Sequence, residues 1–516
     1  MHLKKPSRVF KWHCEAVRAR RCRIMSLAIE VSLLSGRTVS VEARPDESVE
    51  TLAGRAQESL AVGRGRLFSS RGVLNGEATL EECKLQSGDT LTLQMSGVRV
   101  RGTGRAFAAI LGDGSIVTWG AAAYGGNSSA VKDQLQDVRQ IQTSKAFAAP
   151  RVHGSAFAAI LGDGSVVTWG NSHCGGDSSA VQAQLKGVQQ IQATETAFAA
   201  IRDDGSVVTW GSSRCGGDSC AVQDQLKDVR QIHAARTAFA AVLGDGSVVT
   251  WGYAQFGGDS SAVHGQLKDV KHVQADDMAF AAILGDGSAV TWGESRCGGD
   301  RSAVKDQLKD VLQIQATRMA FAAILGDGSV VTWGNSHCGG DSSAVQGQLK
   351  GVQQIQATET AFAAIRDDGS VVTWGESRCG GESRAVQGQL TDVQQIQATE
   401  KAFAAILGDG SVVTWGFAEG GGDSCVVQGQ LKGVQHIQAN HAAFAAILGD
   451  GSVVTWGYAP FGGDSSAVQS QLKDVQLIQA TRMAFAAILG HGSLVTWGFA
   501  ECGGDSSAVH DLLMNP

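Results

Sequence analysis

The side chains that could act as nucleophiles or metal ligands recur at one fixed place in a repeated sequence pattern. Six cysteines follow a tryptophan by five residues: Cys174, Cys215, Cys297, Cys338, Cys379 and Cys502. Tyr124, Phe256 and Phe461 fill the same place in other copies of the pattern. A position that exchanges cysteine with large aromatic residues is typical of apolar packing. A reactive thiol or a metal ligand is the alternative, but a metal needs several such ligands in one shell.

Carboxylates recur in the triplets Gly-Asp-Gly and Gly-Gly-Asp, for which calcium binding is the alternative to turn and cap roles. No copy has a second acid two residues on, as oxygen-ligand loops usually do. Histidines fall at irregular places, and no Ser/His/Asp set, Cys/His set or phosphate-loop pattern recurs. An active site needs unlike groups that converge, whereas near-identical copies supply one group many times. We therefore expect no catalytic residue, no metal and no cofactor, and predict that the protein is not an enzyme.

The repeated pattern is built around the tetrapeptide Val-Thr-Trp-Gly, which occurs ten times. Its tryptophans are Trp119, Trp169, Trp210, Trp251, Trp292, Trp333, Trp374, Trp415, Trp456 and Trp497. Eight of the nine intervals are 41 residues and the first is 50, because nine residues are inserted where Ala-Phe-Ala-Ala occurs at both 146–149 and 156–159. A period of this length is typical of repeat architectures.

Each unit predicts three β-strands. Val-Gln-Gln-Ile-Gln alternates, Ala-Phe-Ala-Ala-Ile-Leu is short and apolar, and Ser-Val-Val-Thr-Trp is β-branched and aromatic. Asp-Gly between the last two predicts a hairpin with positive φ at both central residues. The turn aspartates are Asp113, Asp163, Asp204, Asp245, Asp286, Asp327, Asp368, Asp409 and Asp450, with His491 in the last unit. After Gly-Gly-Asp we expect one helical turn, and three strands plus a turn make a propeller-like blade.

Asp-Gly-Ser-Val-Val-Thr-Trp-Gly, with a glycine six residues after the tryptophan, resembles the repeat of the regulators of chromosome condensation. The resemblance covers about residues 98–516 and implies a mainly β fold, a propeller-like array as in the propeller regions of large HECT-type ubiquitin ligases. The 41-residue unit is most similar to the three-stranded blades of a secreted β-lactamase-inhibitor propeller. Ten units exceed the usual four to eight blades, which leaves a wide ring, a spiral or a seven-unit ring with spare units. Residues 98–101 are expected to complete the last blade, after Val509.

Residues 25–96 predict a small α+β domain. A hairpin over 27–33 and 37–42 surrounds Ser35-Gly36, and a helix begins after Ser48 with apolar residues on one face. The order ββαββ, with Gly-x-Thr-x-x-x-Glu-x-x-Pro and Thr-Leu-Glu-Glu-Cys-Lys-Leu-x-x-Gly-Asp-Thr-Leu, resembles ubiquitin-like domains with a β-grasp fold. The resemblance implies a recognition patch at Leu34 and Phe68, with Gln94 at its third place. We expect a fixed adaptor domain; a spacer without a partner is the alternative.

Charge is distributed unevenly along the 516 residues. The segment 1–24 carries a net charge of +7, whereas residues 97–516 carry −11. An acidic array disfavours broad binding to nucleic acid, which needs clustered lysine and arginine. No stretch approaches the length of a membrane span, and no apolar segment follows the basic start as in a secretory signal. We expect a cytoplasmic or nuclear protein with free thiols. The basic segment 1–24 is expected to be a disordered extension, with an organelle transit segment as the alternative.

The four residues between Trp-Gly and Gly-Gly change from unit to unit while the strands hardly change. Their aromatic and arginine members are Tyr124, Arg214, Tyr253, Phe256, Arg296, Arg378, Phe417, Tyr458, Phe461 and Phe499. Variable loops on a rigid scaffold often carry recognition, and such residues are good anchors. We therefore predict a protein-binding rim at these ten residues. The alternative is that they are surface loops whose aromatics pack between blades.

These observations predict a non-enzymatic adaptor or scaffold that joins a ubiquitin-like domain at 25–96 to a propeller array at 97–516. Its partner would be a protein, with receptors of the ubiquitin pathway as one class. A component or relative of a ubiquitin ligase is one alternative, although a ligase needs a catalytic cysteine domain or a RING-type zinc site. A guanine-nucleotide exchange factor is a second alternative, by analogy with the family alone.

Overall fold

The structure is a computed structural model that describes residues 26–33, 37–60, 65–69, 72–74, 76, 78–94, 97–144 and 154–514. The basic segment 1–24 and the insertion around 146–149 therefore lie outside the described residues. The chain forms two compact units, one within residues up to 94 and the other from residue 95 onward. Among the described residues, no helix is long and apolar enough to cross a membrane.

The N-terminal unit is an α+β domain with a five-stranded sheet in the order β2-β1-β5-β3-β4. Its elements are β1 (Leu27–Leu33), β2 (Thr38–Ala43), α1 (Val49–Leu60), β3 (Arg66–Ser69), β4 (Gly72–Val73) and β5 (Thr90–Gln94). Strand β1 lies between β2, which is antiparallel to it, and β5, which is parallel. The hydroxyl of Ser48 accepts a hydrogen bond from Thr51 N at 3.2 Å and so caps α1 as predicted. This topology is the predicted β-grasp fold.

The second unit contains ten three-stranded sheets, one for each sequence unit, and we number them as blades 1 to 10. In chain order they are β6–β8 (Arg99–Gly102, Ala106–Ile110, Ile116–Gly120), β9–β11 (Val138–Thr143, Ala156–Leu161, Val166–Gly170), β12–β14 (Val188–Ala193, Ala197–Arg202, Val207–Gly211), β15–β17 (Val229–Ala234, Ala238–Leu243, Val248–Gly252), β18–β20 (Val270–Ala275, Ala279–Leu284, Ala289–Gly293), β21–β23 (Val311–Ala316, Ala320–Leu325, Val330–Gly334), β24–β26 (Val352–Ala357, Ala361–Arg366, Val371–Gly375), β27–β29 (Val393–Ala398, Ala402–Leu407, Val412–Gly416), β30–β32 (Val434–Ala439, Ala443–Leu448, Val453–Gly457) and β33–β35 (Val475–Ala480, Ala484–Leu489, Leu494–Gly498). The first strands of neighbouring blades contact one another, so we call the three strands inner, middle and outer.

Short helical turns follow the outer strands, as predicted, but they are 3-10 turns. The first set consists of Ala122–Tyr124, Ser172–Cys174, Ser213–Cys215, Ala254–Phe256, Ser295–Cys297, Ser336–Cys338, Ser377–Cys379, Ala418–Gly420, Ala459–Phe461 and Ala500–Cys502. The second set consists of Ser129–Gln134, Ser179–Gln184, Gln223–Gln225, Ser261–Gln266, Gln346–Gln348, Gln387–Gln389, Gln428–Gln430 and Ser507–Val509, and the described chain ends in α2 (His510–Met514).

The hairpin between the middle and outer strands differs from the predicted turn. In blade 2, Gly164 N donates to Leu161 O at 3.0 Å and Leu161 N donates to Ser165 O at 2.9 Å. Gly164 has a φ of 79°, but the turn aspartate before it does not have a positive φ. The prediction of positive φ at both central residues is therefore wrong, and the loop has three residues with only its glycine left-handed. Asp163 instead accepts a hydrogen bond from Ser165 N at 2.8 Å.

The hydrophobic core lies between consecutive blades. Ala320 and Ile324 from the middle strand of blade 6 pack against Phe362 and Trp374 of blade 7, and the other blade pairs repeat this arrangement. Within each blade the phenylalanine and tryptophan are stacked, with ring centroids 5.0 to 5.4 Å apart. The small alanines allow the neighbouring sheet to approach, which leaves the ten tryptophans buried as predicted.

Each tryptophan also forms a polar contact with the preceding blade. Trp333 Nε1 donates to Gly298 O at 3.0 Å, and the equivalent bond occurs in all ten blades. Gly298 has a φ of 95°, and a Cβ built on it would lie 2.6 Å from the ring of Phe321. A glycine is therefore required here both by its backbone angle and by the close approach of the aromatic ring.

The ten blades close into a ring. Trp119 of blade 1 donates to Gly503 O of blade 10 at 3.0 Å, and Val100 and Phe107 share a core cluster with Ala484 and Ala486. Neither a spiral nor a ring with spare units is formed. Residues 99–102 pair with the middle strand of blade 1, so the expectation that this segment completes the last blade is wrong. Closure results from contacts between blades, because each blade already has three strands of its own.

A pair of positions exchanges aspartate for glycine in eight of the ten blades, and blade 9 has glycine at both. The residue before the inner strand has a positive φ and is Asp in six blades and Gly in three. The residue before the inner strand faces the residue before the turn aspartate. In blade 6 Asp310 faces Gly326, whereas in blade 3 Gly187 faces Asp203. A Cβ built on Gly326 would overlap the Asp310 carboxylate. The two positions therefore share room for one carboxylate.

We expect Trp333→Ala to lower the free energy of unfolding by about 3–5 kcal/mol. It removes a buried ring that stacks on Phe321 and leaves Gly298 O without its indole donor. Urea unfolding of the full chain measures the loss. Trp333→Phe, which retains an aromatic ring, is the matched control and should cost less. A loss below about 1 kcal/mol for the alanine variant would contradict the assigned role.

We expect Gly326→Asp to cost about 1–3 kcal/mol, because its side chain would occupy the space of the Asp310 carboxylate. Adding Asp310→Gly should recover most of the loss, since the pair then matches blade 3. Unfolding midpoints of the two single variants and the double variant measure this coupling. Gly449→Asp is the control, because a Cβ built there would lie 3.5 Å from Gly433 O, an ordinary van der Waals contact, and would meet no carboxylate. Strictly additive losses would show that the two positions do not share one space.

Candidate functional site

The variable loops lie together at one end of the ring. Inner and outer strands are both antiparallel to the middle strand, so the loops that follow them lie at the same end of every blade. Thr194 of an inner loop donates to the carbonyl of Cys215 in the outer loop at 3.0 Å and joins the two. We call this end of the ring the loop face. The Gly-Asp-Gly turns lie at the opposite end.

The outer loops have the same backbone in every blade. In blade 3, Gly211 and Gly216 have φ values of 101° and 93° at the two ends of the 3-10 turn over Ser213–Cys215. Cys215 N donates to Ser212 O at 3.0 Å, which closes the turn. Side-chain identity therefore changes between blades without a change in loop shape.

The predicted rim residues occupy two kinds of place on these loops. Tyr458 and Phe499 are exposed to 41% and 39%, and Arg214, Arg296 and Arg378 are exposed. Tyr124, Tyr253, Phe256, Phe417 and Phe461 are half-buried. Tyr253 and Phe256 meet edge to face with centroids 4.8 Å apart, and Tyr458 and Phe461 form an equal pair. The structure brings these residues to one face and pairs the aromatics within blades 4 and 9.

Some aromatic rings are partly covered by cations. Arg214 of blade 3 lies 4.8 Å from the ring centroid of Tyr253 in blade 4, and Arg378 lies 5.7 Å from Phe417 in the blade that follows its own. Such contacts contribute about 0.5–1 kcal/mol each at exposed sites. The outer loops therefore combine packing between blades with aromatic area that stays exposed, and the protein-binding rim stays a prediction.

The cysteine positions are packing positions, as the sequence predicted. Cys174, Cys297, Cys338, Cys379 and Cys502 are buried and Cys215 is half-buried. Burial raises the pKa of the Cys174 thiol to about 11 and that of Cys297 to about 12. These two thiols therefore stay protonated and unreactive near neutral pH. Among the described residues, no group of three or more His, Cys, Asp or Glu side chains is placed to hold a metal ion.

The inner loops form a second arrangement that the sequence analysis did not identify. Backbone hydrogen bonds connect consecutive blades, for example from Glu195 N to Arg236 O at 2.9 Å and from Arg318 N to Glu359 O at 2.9 Å. The series continues to Arg482 N and Gly104 O, which joins blade 10 to blade 1. These loops surround a central cavity of about 630 Å³.

Side chains at the same position of the inner loops form what we call the charge ring. It consists of Glu195, Arg236, Asp277, Arg318, Glu359, Glu400, His441 and Arg482. Arg236 binds Glu195 through two bonds of 3.1 Å, and Arg318 Nε lies 3.1 Å from Asp277. The charges alternate in sign at a spacing of 41 residues, a pattern that is present in the sequence but appears only when units are compared at one position.

The alternation fails at two points, because the acids Glu359 and Glu400 are neighbours and so are the basic residues His441 and Arg482. Burial and then the negative charge of Glu400 raise the pKa of Glu359. Burial acts to raise the pKa of Glu400 as well, but the hydrogen bond and charge of His441 and the charge of Arg482 lower it overall. His441 Nδ1 and Arg482 Nη2 lie 2.5 and 3.0 Å from Glu400 Oε1.

Of the two residues of the predicted ubiquitin-like patch, Phe68 is among the described residues. Phe68 is half-buried in β3, and the neighbouring strand end at Gln94 is exposed. Leu34 lies outside the described residues. The patch is therefore described at Phe68 alone, and its binding role stays a prediction.

No protein-family model and no curated protein matches the chain. The N-terminal domain is similar to a designed protein based on ubiquitin, with 32% identity over 13% of this chain and 87% of that chain and a TM-score of 0.13. The array is similar to the WD40 ectodomain of the Arabidopsis thaliana receptor kinase ACR4, with 16% identity over 54% and 97% of the two chains and a TM-score of 0.29. It is also similar to the ectodomain of the Physcomitrella patens receptor kinase CR4, with 14% identity over 54% and 73% and a TM-score of 0.32.

We expect Glu400→Gln to destabilise the ring by about 1–3 kcal/mol at pH 7, because it leaves His441 and Arg482 without their charged acceptor. A lowered folded-state pKa gives stability above the unfolded pKa and loses it as pH falls through the folded pKa. The gap between wild type and variant should therefore shrink below about pH 4.3, the ordinary value for glutamate. Thermal unfolding from pH 3 to 7 measures this. Glu419→Gln, at an exposed residue of the same blade, is the control, and a gap that stays constant would contradict the assignment.

Proposed function

We propose that the protein is a non-enzymatic binding adaptor in which a β-grasp domain is joined to a propeller-like ring that captures a protein partner. The observation that carries the proposal is the concentration of exposed and half-exposed aromatic and arginine side chains on the loop face. Ten loops of one backbone shape present different side chains there, on a scaffold whose strands are nearly the same in every blade.

The energetics of the two sets on this face favour the outer loops as the binding surface. The acids and bases of the charge ring are paired with one another, and Glu195 and Arg236 are exposed to only 7% and 18%. Their hydrogen-bonding capacity is largely used within the ring. Tyr458 and Phe499, in contrast, expose apolar area that a partner could cover, and aromatic anchors of this kind supply much of the free energy of binding in protein interfaces.

Two groups of side chains, each on two adjacent blades, favour an extended contact over a single point. Blades 3 and 4 place Arg214 beside Tyr253 and Phe256, and blades 9 and 10 place Tyr458, Phe461 and Phe499 on the same face. A protein partner can span both groups, whereas a small molecule would need one enclosed cavity with convergent polar groups. The β-grasp domain would then be a second binding module, with receptors of the ubiquitin pathway as its expected class of partner.

The proposal predicts the effect of four substitutions on the loop face. The combined variant Tyr253→Ser, Phe256→Ser, Tyr458→Ser and Phe461→Ser should weaken partner binding by about 30-fold or more, the equivalent of about 2 kcal/mol. Partners are first identified by cross-linking to the full chain and mass spectrometry, then purified, and the Kd is measured for wild type and variant. Circular dichroism and unfolding establish that the variant is folded.

The matched control substitutes the opposite end of the same two blades. Asp245→Asn and Asp450→Asn keep an oxygen acceptor for Ser247 N and Ser452 N, and this pair should leave the Kd unchanged. Unfolding of the loop variant would show that the aromatics serve packing between blades. Unchanged binding by a folded variant would move the partner to another surface, with Phe68 of the β-grasp domain as the next candidate.

The same purified partner separates the proposal from its two alternatives. Faster release of bound nucleotide from a GTPase partner would favour an exchange factor. Association with ubiquitin-transfer enzymes, with transfer that depends on this chain, would favour a ligase component. Binding without either activity is the result that the adaptor proposal predicts.

A further inference from the structure

One position of the inner loops is polar in nine of the ten blades, with Ser144 in blade 2 and Ala235 as the exception in blade 4. Six blades have threonine there: Thr103, Thr194, Thr317, Thr358, Thr399 and Thr481. Each threonine hydroxyl donates to the carbonyl oxygen 21 residues further on, at 2.9 to 3.0 Å. This bond ties the inner loop to the outer loop of the same blade. Blade 5 has Asp276 at this position.

Blade 9 shows how a branched side chain forms the same bond. Asn440 Oδ1 accepts from the backbone N–H groups of Ala442 and Ala443 at 3.0 and 2.8 Å. Its Nδ2 donates to Phe461 O at 2.6 Å, again 21 residues further on. Asparagine therefore uses one side-chain atom as acceptor and the other as donor.

Asp276 accepts backbone hydrogen bonds in the same way as Asn440. Its Oδ1 accepts from the backbone N–H groups of Met278 and Ala279, both at 2.6 Å. Its Oδ2 is fully buried and has no hydrogen-bond partner. The residue as a whole is 7% exposed. The carbonyl oxygen 21 residues after Asp276 is that of Cys297, and an ionised carboxylate has no proton to donate to it.

The charged groups around this site do not neutralise the Asp276 carboxylate. The neighbouring Asp277 pairs with Arg318 at 3.1 Å and with Arg236 at 4.0 Å. The other titratable groups that act on this pocket are Glu195, Glu294, Cys297 and Cys338. Burial, which outweighs the two backbone donors, raises the pKa of Asp276 to about 8, and the charge of Asp277 adds to the rise.

We propose that Asp276 is a protonation switch in the loop face: as a neutral carboxylic acid it donates to the Cys297 carbonyl and ties the inner loop of blade 5 to its outer loop. When the proton is lost, an anionic oxygen faces a carbonyl oxygen, and the tie becomes a repulsion. Asp277 follows in the chain and holds Arg236 and Arg318 in the charge ring. Ionisation of Asp276 therefore loosens the loop face where these three ring residues meet. The inference concerns the ring itself and holds whether or not the loop face binds a protein.

The linkage between protonation and folding has a definite sign. The folded-state pKa lies above the unfolded value, so the stabilising effect of the proton is complete below about pH 4. It is lost as pH rises from there to about 8 and changes little above that. An asparagine at 276 can form all three hydrogen bonds that Asn440 forms in blade 9, and it cannot titrate. We expect the variant to gain in melting temperature relative to wild type between pH 4 and pH 8, with a constant difference above.

Infrared absorption of the full-length protein tests the proton directly. We expect wild type to show a protonated-carboxyl band at pH 6.5 that disappears with a midpoint near 8 and is missing from Asp276→Asn. Backbone hydrogen exchange tests the tie. Segments 275–279 and 294–298 should lose about tenfold of their protection above the midpoint, after correction for the base dependence of exchange, as expected for a loss of about 1.4 kcal/mol. The equivalent segments 357–361 and 376–380 of blade 7, where Thr358 makes the tie, are an internal control and should not change.

Three results would overturn the proposal. The first is the same infrared band in wild type and Asp276→Asn at pH 6.5, and the second is a midpoint below pH 5, the ordinary range of aspartate. The third is an equal loss of protection in wild type and variant, which would place the pH response elsewhere in the ring. Asp276→Thr introduces the residue that six other blades have at this position. It controls for an effect specific to asparagine and should behave as Asp276→Asn does.

Discussion

The hydrogen bond from each tryptophan indole to a glycine carbonyl of the preceding blade is the contact on which the ring depends. It holds two neighbouring blades at one distance and orientation, because the glycine lies directly against the phenylalanine on which that tryptophan stacks. A side chain at this glycine would separate the blades. Since the bond is repeated ten times and the last one joins blade 1 to blade 10, each blade is held on both sides.

Much of this architecture could be predicted from the sequence because its determinants are local. Three strands per unit, buried tryptophans and capped turns all follow from residues close together in one unit. The β-grasp domain was predictable for the same reason, with Ser48 capping a helix whose apolar face was visible. Ring closure was not predictable, because it depends on the angle between blades. That angle arises from packing between a glycine and a phenylalanine in different units.

The candidate site, too, could be predicted from the sequence only in part. The outer loops were identifiable as a set since their four residues vary between invariant flanks. The charge ring was missed because its partners, such as Glu195 and Arg236, are 41 residues apart and each looks like an isolated surface charge. The hairpin aspartate was misjudged for a different reason. Asp-Gly fits both a two-residue and a three-residue loop, and the hydrogen bond from Ser165 to Asp163 favours the longer one.

The loop face thus has two concentric parts with different physical character. The charge ring is inside, where ion pairs and backbone hydrogen bonds between blades leave few groups unsatisfied. The outer loops surround it, with aromatic area that is only partly covered. Arg482 and His441 share Glu400 inside, and His441 lies 5.9 Å from Phe461, so the two parts meet in blade 9.

The placement of variable and invariant contacts bears on how such a chain can change its length. Asp310 and Gly326, which must match, lie within one unit and would be copied together in a duplication of that unit. The contacts between units, from tryptophan to glycine, use residues that every unit has. Any unit can therefore follow any other, and recombination in register would preserve the core of the ring. The charge ring is different, because it joins variable residues across blades. Its ion pairs depend on the order of the units. A reshuffled ring would fold with like charges side by side, as Glu359 and Glu400 already are.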